Sequence, residues 1–376
     1  MKNLKYLSGV LFLSAAIVCF IVFFSFRNKG TASSSSLGEI AMTGHMQEER
    51  AVHAATLLPD GKVLITGGFG KGEIFKQSAE LYDPLANTFT LTGNMHVPRA
   101  GHQAVLLKNG KVLVLGGTVG DTDKHSKTAE LYDPSTGKFT LSGSMQSARM
   151  SCSVTLLPDG KVLVAGGLDG REPITSMEIY DPASGSFTPA GDLQAVKGTN
   201  TALRMQNGQV LLIGSNFAAE VYDLVSGTSH ALKGSPESKV KYKYSATLLD
   251  NEQVLFTGGS DARDWEGKFA TAMLYDPLKD KYISTGPMHL PRFKHGNSVV
   301  LLENGNVLVA GGGEFAELYD PVACEFAEVP GNFNKTLHFA TATLLQDNKV
   351  LITGGYEMNI ICTREAWLYR PRSYSH

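Results

Sequence analysis

Two sets of side chains able to do chemistry recur through this chain at a common spacing of 44 to 53 residues. Arg50, Arg99, Arg149, Lys197, Lys241 and Lys294 form a basic set, and three positions after each stand His53, His102, Cys152, Asn200, Tyr244 and Asn297. If successive copies of one structural unit bring equivalent positions together, the basic set gathers positive charge. Its guanidinium groups suit carboxylate, sulfate or phosphate in bidentate fashion, and its ammonium groups act as point charges. The second set mixes imidazole, thiol, phenol and amide, which ligate metal when three or four converge on one point. The competing readings are structural: each basic side chain pairs with an acid of the rim, and each histidine packs or hydrogen-bonds locally.

Linear signatures of other chemistry are missing. There is no His-Glu-x-x-His and no Gly-x-Ser-x-Gly, and the glycine-rich Gly67-Gly68-Phe69-Gly70-Lys71-Gly72 lacks the Lys-Ser/Thr of a phosphate loop. Glu80, Glu130, Glu178, Glu220 and Glu317, each two residues before a Tyr, resemble a carboxylate constellation. Their place on a third strand points instead to accepting backbone or inter-unit hydrogen bonds.

The elements that must position these residues are written in the repeat itself. HAATLLPDGKVLITGG (His53 to Gly68), HQAVLLKNGKVLVLGG (His102 to Gly117) and CSVTLLPDGKVLVAGG (Cys152 to Gly167) are its clearest copies. Weaker ones end at Gly214-Ser215, Gly258-Gly259, Gly311-Gly312 and Gly354-Gly355. A period near fifty means stacked supersecondary units, each unable to bury its own face. Asp60-Gly61, Asn109-Gly110 and their equivalents join the first two strands as tight hairpins. The apolar second strand, such as Val63 to Thr66, is expected to be covered on both faces. A third strand ends in Tyr-Asp-Pro at residues 82–84, 132–134, 180–182, 275–277 and 319–321.

Gly-Gly followed by Tyr-Asp-Pro resembles the kelch repeat, and the resemblance covers nearly all of residues 38–376. It implies an all-β fold, a seven-bladed β-propeller around a central channel, with both chemical sets lying on rings at its mouth. The seventh copy stops at Trp367-Leu368-Tyr369 without a fourth strand, whereas Thr43-Gly44-His45-Met46 matches Thr92-Gly93-Asn94-Met95. Residues 38–46 are therefore expected to supply the outermost strand of the last blade and close the ring. Arg292 is positioned to substitute for Lys294 in the sixth blade.

The resemblance also reaches the galactose oxidases, whose central propeller uses kelch repeats and whose chemistry requires a Tyr–Cys cross-link, a second Tyr and two His around copper. Cys152 falls near the place of that cysteine, but no tyrosine stands beside it and no tandem Tyr-His occurs. Kelch-type sialic-acid mutarotases offer an alternative, with His53 or His102 as general acid or base. Without a distinguishing motif for either enzyme, the leading expectation is a non-catalytic propeller that binds an anionic peptide or glycan at the channel mouth and needs no cofactor. Some kelch domains capture acidic peptides through such arginines.

Of 34 basic and 36 acidic residues, residues 1–37 hold four basic and no acidic ones, leaving the rest mildly acidic. That argues against nucleic acid as a partner and leaves a protein or glycan ligand. Residues 1–37 read as a separate segment. Tyr6 to Phe26 is uncharged and largely apolar, long enough to cross a bilayer as a hydrophobic helix, and is followed by Arg27, Lys29 and a Ser33–Ser36 spacer. It is expected to be a membrane anchor, or a signal cleaved near Gly30-Thr31-Ala32, and either puts the propeller of residues 38–376 outside the cytoplasm. Cys324 and Cys362, in adjacent blades, could pair, although free thiols fit an odd count of three in the propeller better. The loops between second and third strands vary most, and that of residues 260–268 carries Trp265, suited to sugar stacking or partner contact.

Overall fold

The computed structural model describes residues 37–372 apart from positions 197, 199, 200, 235, 237 and 241. Seven four-stranded antiparallel sheets follow one another around an axis. In the first blade the strands are Ala54–Leu57, Val63–Thr66, Ala79–Asp83 and Thr88–Leu91, paired in sequence order as a meander. The second strands are buried in every blade, as their largely apolar runs require, and hydrophobic clusters fill the space between neighbouring sheets.

The seam is closed as the repeat implied. Glu39–His45 pairs antiparallel with Glu365–Arg370 and completes the seventh blade as its fourth strand. Ile40 and Met46 are buried, and Met46 occupies the place that Met95 and Met145 hold in later blades. Thr43 also bonds Asn87, which bonds the Tyr82 hydroxyl. The seam thereby repeats, through Asn87, the direct link of Thr92 to Tyr132 and of Ser142 to Tyr180.

Alternating strand direction gives the propeller two distinct faces. First-to-second and third-to-fourth turns lie on one, here the turn face; second-to-third loops and the connections between blades lie on the other, the loop face. Cys324 belongs to a third-to-fourth turn and Cys362 to a second-to-third loop, so they sit at opposite faces and both are free. Their pairing is thereby excluded.

Among the described residues no helix is long and apolar enough to cross a membrane. The Tyr6–Phe26 segment and the hydrophobic helix expected there lie outside the described residues.

Candidate functional site

Arg50, Arg99 and Arg149 enter each blade along the connection from the preceding one, and all three are fully buried. Arg99 Nη2 lies 2.8 Å from Glu130 Oε1, while its Nη1 donates to the carbonyls of Gly116 and Thr128. Arg50 pairs with Glu80 and Arg149 with Glu178 in the same way. The carboxylates in turn accept backbone N–H groups from the connection, as Glu130 does from His96 and Val97. These arginines are therefore not an anion-binding ring: they are fully buried, their Nη donors are spent inside the blade, and the glutamates are their structural partners.

Arg292, not Lys294, fills this place in the sixth blade, 3.0 Å from Glu317. The seventh blade replaces the ion pair by Leu337 and Trp367, both in one apolar cluster. Lys197 and Lys241 lie outside the described residues.

The histidines obey a second internal rule. His102 Nε2 meets Thr66 Oγ1 at 2.8 Å, His53 Nε2 meets Thr353 Oγ1 at 3.1 Å, and His295 Nε2 meets Thr257 Oγ1 at 3.0 Å. Each threonine immediately precedes the glycine pair of the preceding blade, so each bond stitches two blades together. A Cβ on Gly67 would lie 2.5 Å from the Arg99 carbonyl and 2.8 Å from His102 Cε1, which is why the first glycine of the pair tolerates nothing larger. Where the preceding blade offers Leu115 instead of threonine, the facing residue is Cys152, and both lie in one apolar cluster.

His295 is the sixth-blade counterpart of His53 and His102. Asn297 stands at the repeat's spacing from Gly311, but a short 3-10 turn, Gly296–Ser298, adds two residues there and leaves Asn297 exposed at the mouth. Asn200 lies outside the described residues. Tyr244 stacks on Phe217 at 4.4 Å and donates its hydroxyl to the Gly214 carbonyl.

Burial pulls the imidazoles of His53 and His295 down to about 3, and His102 well below its ordinary value, with the nearby arginine charges acting in the same direction. All three are neutral in the folded protein. The unfolded chain takes up their protons below about pH 6.5 and the folded chain does not, so stability falls as pH drops from about 6.5 toward about 3, by about 1.4 kcal/mol per pH unit for each histidine. Urea denaturation at a series of pH values checks this. Thr66→Leu with His102→Cys, which copies the Leu115–Cys152 solution, is expected to show a shallower decline than wild type; an unchanged slope would remove His102 as a cause.

Between the two expected rings lies a third that sequence reading passed over. Val52, Gly101, Ser151, Lys243, Lys294 and Phe339 all have φ between 50° and 63°. The N–H of Gly101 donates to Val52 O, Ser151 to Gly101 O, Lys294 to Lys243 O, Phe339 to Lys294 O and Val52 to Phe339 O, at 2.8 to 3.3 Å. This collar of left-handed residues, unfavourable for side chains such as Val52, holds its side chains at the channel mouth. All six line a cavity of about 450 Å³ together with His53, His102 and Cys152. A second cavity of about 690 Å³ shares Lys243 and Tyr244 and opens where the fourth blade carries only the short Ser215–Phe217 turn between the longer loops of its neighbours.

Two collar residues carry charge. Lys243 Nζ lies 2.5 Å and Lys294 Nζ 3.4 Å from opposite oxygens of Asp264. Lys294 also rests 4.1 Å over the Trp265 ring, which packs edge-on against Phe293 and His338. Trp265 thus serves as a packing lid that keeps 36% of its surface exposed. Burial and the Lys243 charge hold the Lys294 ammonium below its ordinary value, against the pull of Asp264. Asp264 is itself lowered: desolvation opposes ionisation, and contact with both lysines outweighs it.

A family model for the kelch motif matches residues 98–146 and 149–194. No curated protein sequence matches the chain. Among solved structures, a fungal alcohol oxidase described as having catalytic diversity among the AA5 family, in complex with copper, is similar with a TM-score of 0.73 at 17% identity, over 89% of this chain and 76% of that one. At this identity the likeness is one of fold.

The residues here do not fit copper. Among the described residues no group of three or more His, Cys, Asp or Glu is placed to hold a metal. Burial pushes the Cys152 thiol up to about 11 among apolar neighbours, and His53 and His102 are committed to threonines. The same commitments and burial leave His53 and His102 unsuited to acid–base work on a sugar.

Proposed function

The chain is a kelch-repeat β-propeller, and from that premise we propose that it is a non-catalytic binding module whose loop face takes an anionic ligand, an acidic peptide or acidic glycan. The observation that carries this reading is the pair Lys243 and Lys294, held at the channel mouth with Asp264 the carboxylate that bridges both. A carboxylate or sulfate entering the adjoining cavity meets the Lys243 ammonium on its wall, Lys243 and Lys294 together line the collar cavity beside it, and the part-exposed Trp265 ring under Lys294 is at hand for a sugar face or apolar side chain. The uneven loops give the cleft its shape: those of the third and fifth blades wall it, and the short turn of the fourth leaves it open. We further propose that the propeller is displayed outside the cytoplasm on a membrane anchor formed by Tyr6–Phe26.

The test is binding of a glutamate-rich peptide and of a sulfated oligosaccharide to the full chain at about 0.1 M and about 1 M salt, between which the screening length falls from about 10 to about 3 Å. Lys243→Asn removes the charge with a residue that tolerates positive φ. It is expected to weaken binding about tenfold, about 1.4 kcal/mol, and to flatten the salt dependence. Binding indifferent to both salt and Lys243→Asn would overturn the reading.

A further inference from the structure

The turn face carries a pattern that the fold does not demand. In the six blades with a third-to-fourth turn, an aspartate at the end of the third strand accepts the backbone N–H two residues on. The pairs are Leu85 to Asp83, Ser135 to Asp133, Ala183 to Asp181, Val225 to Asp223, Leu278 to Asp276 and Val322 to Asp320, all at 2.8 to 3.1 Å. The six turns are thus held by the same bond, and the residue at the tip is free to vary. Ser135 and Ala183 show that a small or polar tip satisfies the turn. Yet Leu85 and Val225 are 98% exposed, Val322 94% and Leu278 74%, the most exposed large apolar side chains among the described residues.

Their distribution around the ring is not scattered. The apolar tips belong to blades four, five, six and one, and the small tips to blades two and three. Blade seven, between six and one, has no such turn because its fourth strand begins at Glu39, opposite Arg370. The chain therefore enters the propeller on the turn face, within the apolar arc between blades six and one, and Tyr369 fixes the entry by donating its hydroxyl to Leu37 O. Eleven residues separate that strand's Gly38 from Phe26, the end of the apolar 21-residue stretch. Fully extended they would reach about 35–40 Å. The linker alone would let the propeller stand clear of a bilayer; the arc gives it a reason not to.

We infer that the propeller lies on the membrane surface, tilted on its turn face, with Leu85, Val225, Leu278 and Val322 inserted among the lipids on either side of the anchoring segment. Apolar side chains fully exposed on tightly held turns lose unfavourable hydration on entering the acyl boundary. The anchor makes this contact intramolecular, so weak individual insertions act at high effective concentration. In this orientation the Lys243–Lys294 cleft, on the loop face, points away from the membrane. The inference rests on Tyr6–Phe26 spanning the bilayer and is independent of what the cleft binds.

The experiment is tryptophan emission from the full chain reconstituted into vesicles of zwitterionic lipid with or without brominated acyl chains, which quench only at close range. Val322→Trp and Leu85→Trp probe the arc, Ser135→Trp the opposite side of the same face, and Met358→Trp the loop face, where Met358 is 70% exposed. The native Trp265 on the loop face and the buried Trp367 give the background, subtracted with the unmodified chain. Val322→Trp and Leu85→Trp are expected to lose more than half of their added emission, Ser135→Trp less, and Met358→Trp none. Equal quenching of Val322→Trp and Ser135→Trp would overturn the arc. No quenching at either, with the chain floating with the vesicles, would mean that the propeller stands off. Failure to float would remove the anchor on which the inference stands.

Discussion

Arg99→Leu is expected to destabilise the propeller by about 3–5 kcal/mol, because it leaves the Glu130 carboxylate buried without its counter-charge. Arg99 and Glu130 are both fully inaccessible, and Arg99 also donates to the Gly116 and Thr128 carbonyls; the substitution takes that donor from both and leaves Thr128 O only the Gly116 N–H. The second substitution Glu130→Gln separates charge from packing. It removes the stranded charge and keeps one oxygen, for the His96 N–H, while the Val97 N–H, which bonds the other carboxylate oxygen, loses its acceptor. The double variant is therefore expected to recover part of the loss, although it carries one more change. Thermal and urea denaturation followed by two probes would show it, with a melting temperature lowered by roughly 10 °C in the single variant. If Arg99→Leu melts like wild type, or if Glu130→Gln makes it worse, the buried charge is not what matters. The molecule carries its own precedent, since Leu337 and Trp367 occupy the corresponding places in blade seven without any ion pair. The pair is one of two workable solutions to the same packing problem, and the danger lies in having half of it.

Blade number and hairpins were legible in the sequence because each is repeated, so a misreading of one copy is corrected by the others, and the seam because the fourth strand missing from the last copy stands before the first. The chemistry was harder to read for two reasons. First, basic residues at six of seven equivalent positions looked like a charged ring, yet for Arg50, Arg99 and Arg149 the glutamates two residues before a tyrosine are the partners. Recurrence marks what every blade needs, so it selects for structure. The residues that distinguish the cleft, Lys243, Lys294 and Asp264, belong to the fifth and sixth blades alone. Second, the collar depends on positive φ, which glycine advertises at Gly101 but which nothing in the identity of Val52, Lys243 or Phe339 announces. The two-residue insertion in blade six compounded this by shifting the count from His295 to Asn297. The signal that could have found it was present: Arg50-x-x-His53 and Arg99-x-x-His102 recur as Arg292-x-x-His295, and a threonine stands before the glycine pair of each preceding blade.

Removing residues 1–46 is expected to abolish a soluble monomer, whereas removing only 1–36 should leave the propeller intact. The difference between the two is residues 37–46: Leu37, which packs on the seventh-blade cluster, Gly38, the strand Glu39–His45 and Met46. Without them the third strand of blade seven becomes an open edge with unpaired backbone groups, the kind that recruits other chains. Ile40 and Met46 leave with the strand; truncating either buried side chain would cost about 2–5 kcal/mol, and their loss exposes the clusters around Trp367 and Tyr82. A total stability of about 5–15 kcal/mol does not survive that, so aggregation should be visible by size-exclusion chromatography. The decisive variant restores the segment elsewhere. Tyr369-Arg370-Pro371 already imitates the Tyr-Asp-Pro that leads into a third-to-fourth turn in other blades, and strand direction brings Arg370 opposite Glu39. A chain beginning at Gln47, with residues 39–46 appended after Pro371 through a copy of the Leu85–Asn87 turn, gives blade seven the connectivity of the other six. It should be monomeric and melt within a few degrees of the 1–36 deletion, since the seam needs the strand and not its place in the chain. If it aggregates like the 1–46 deletion, closure depends on the covalent link between Met46 and the Arg50 connection, and the N-terminal strand is more than the missing quarter of a blade.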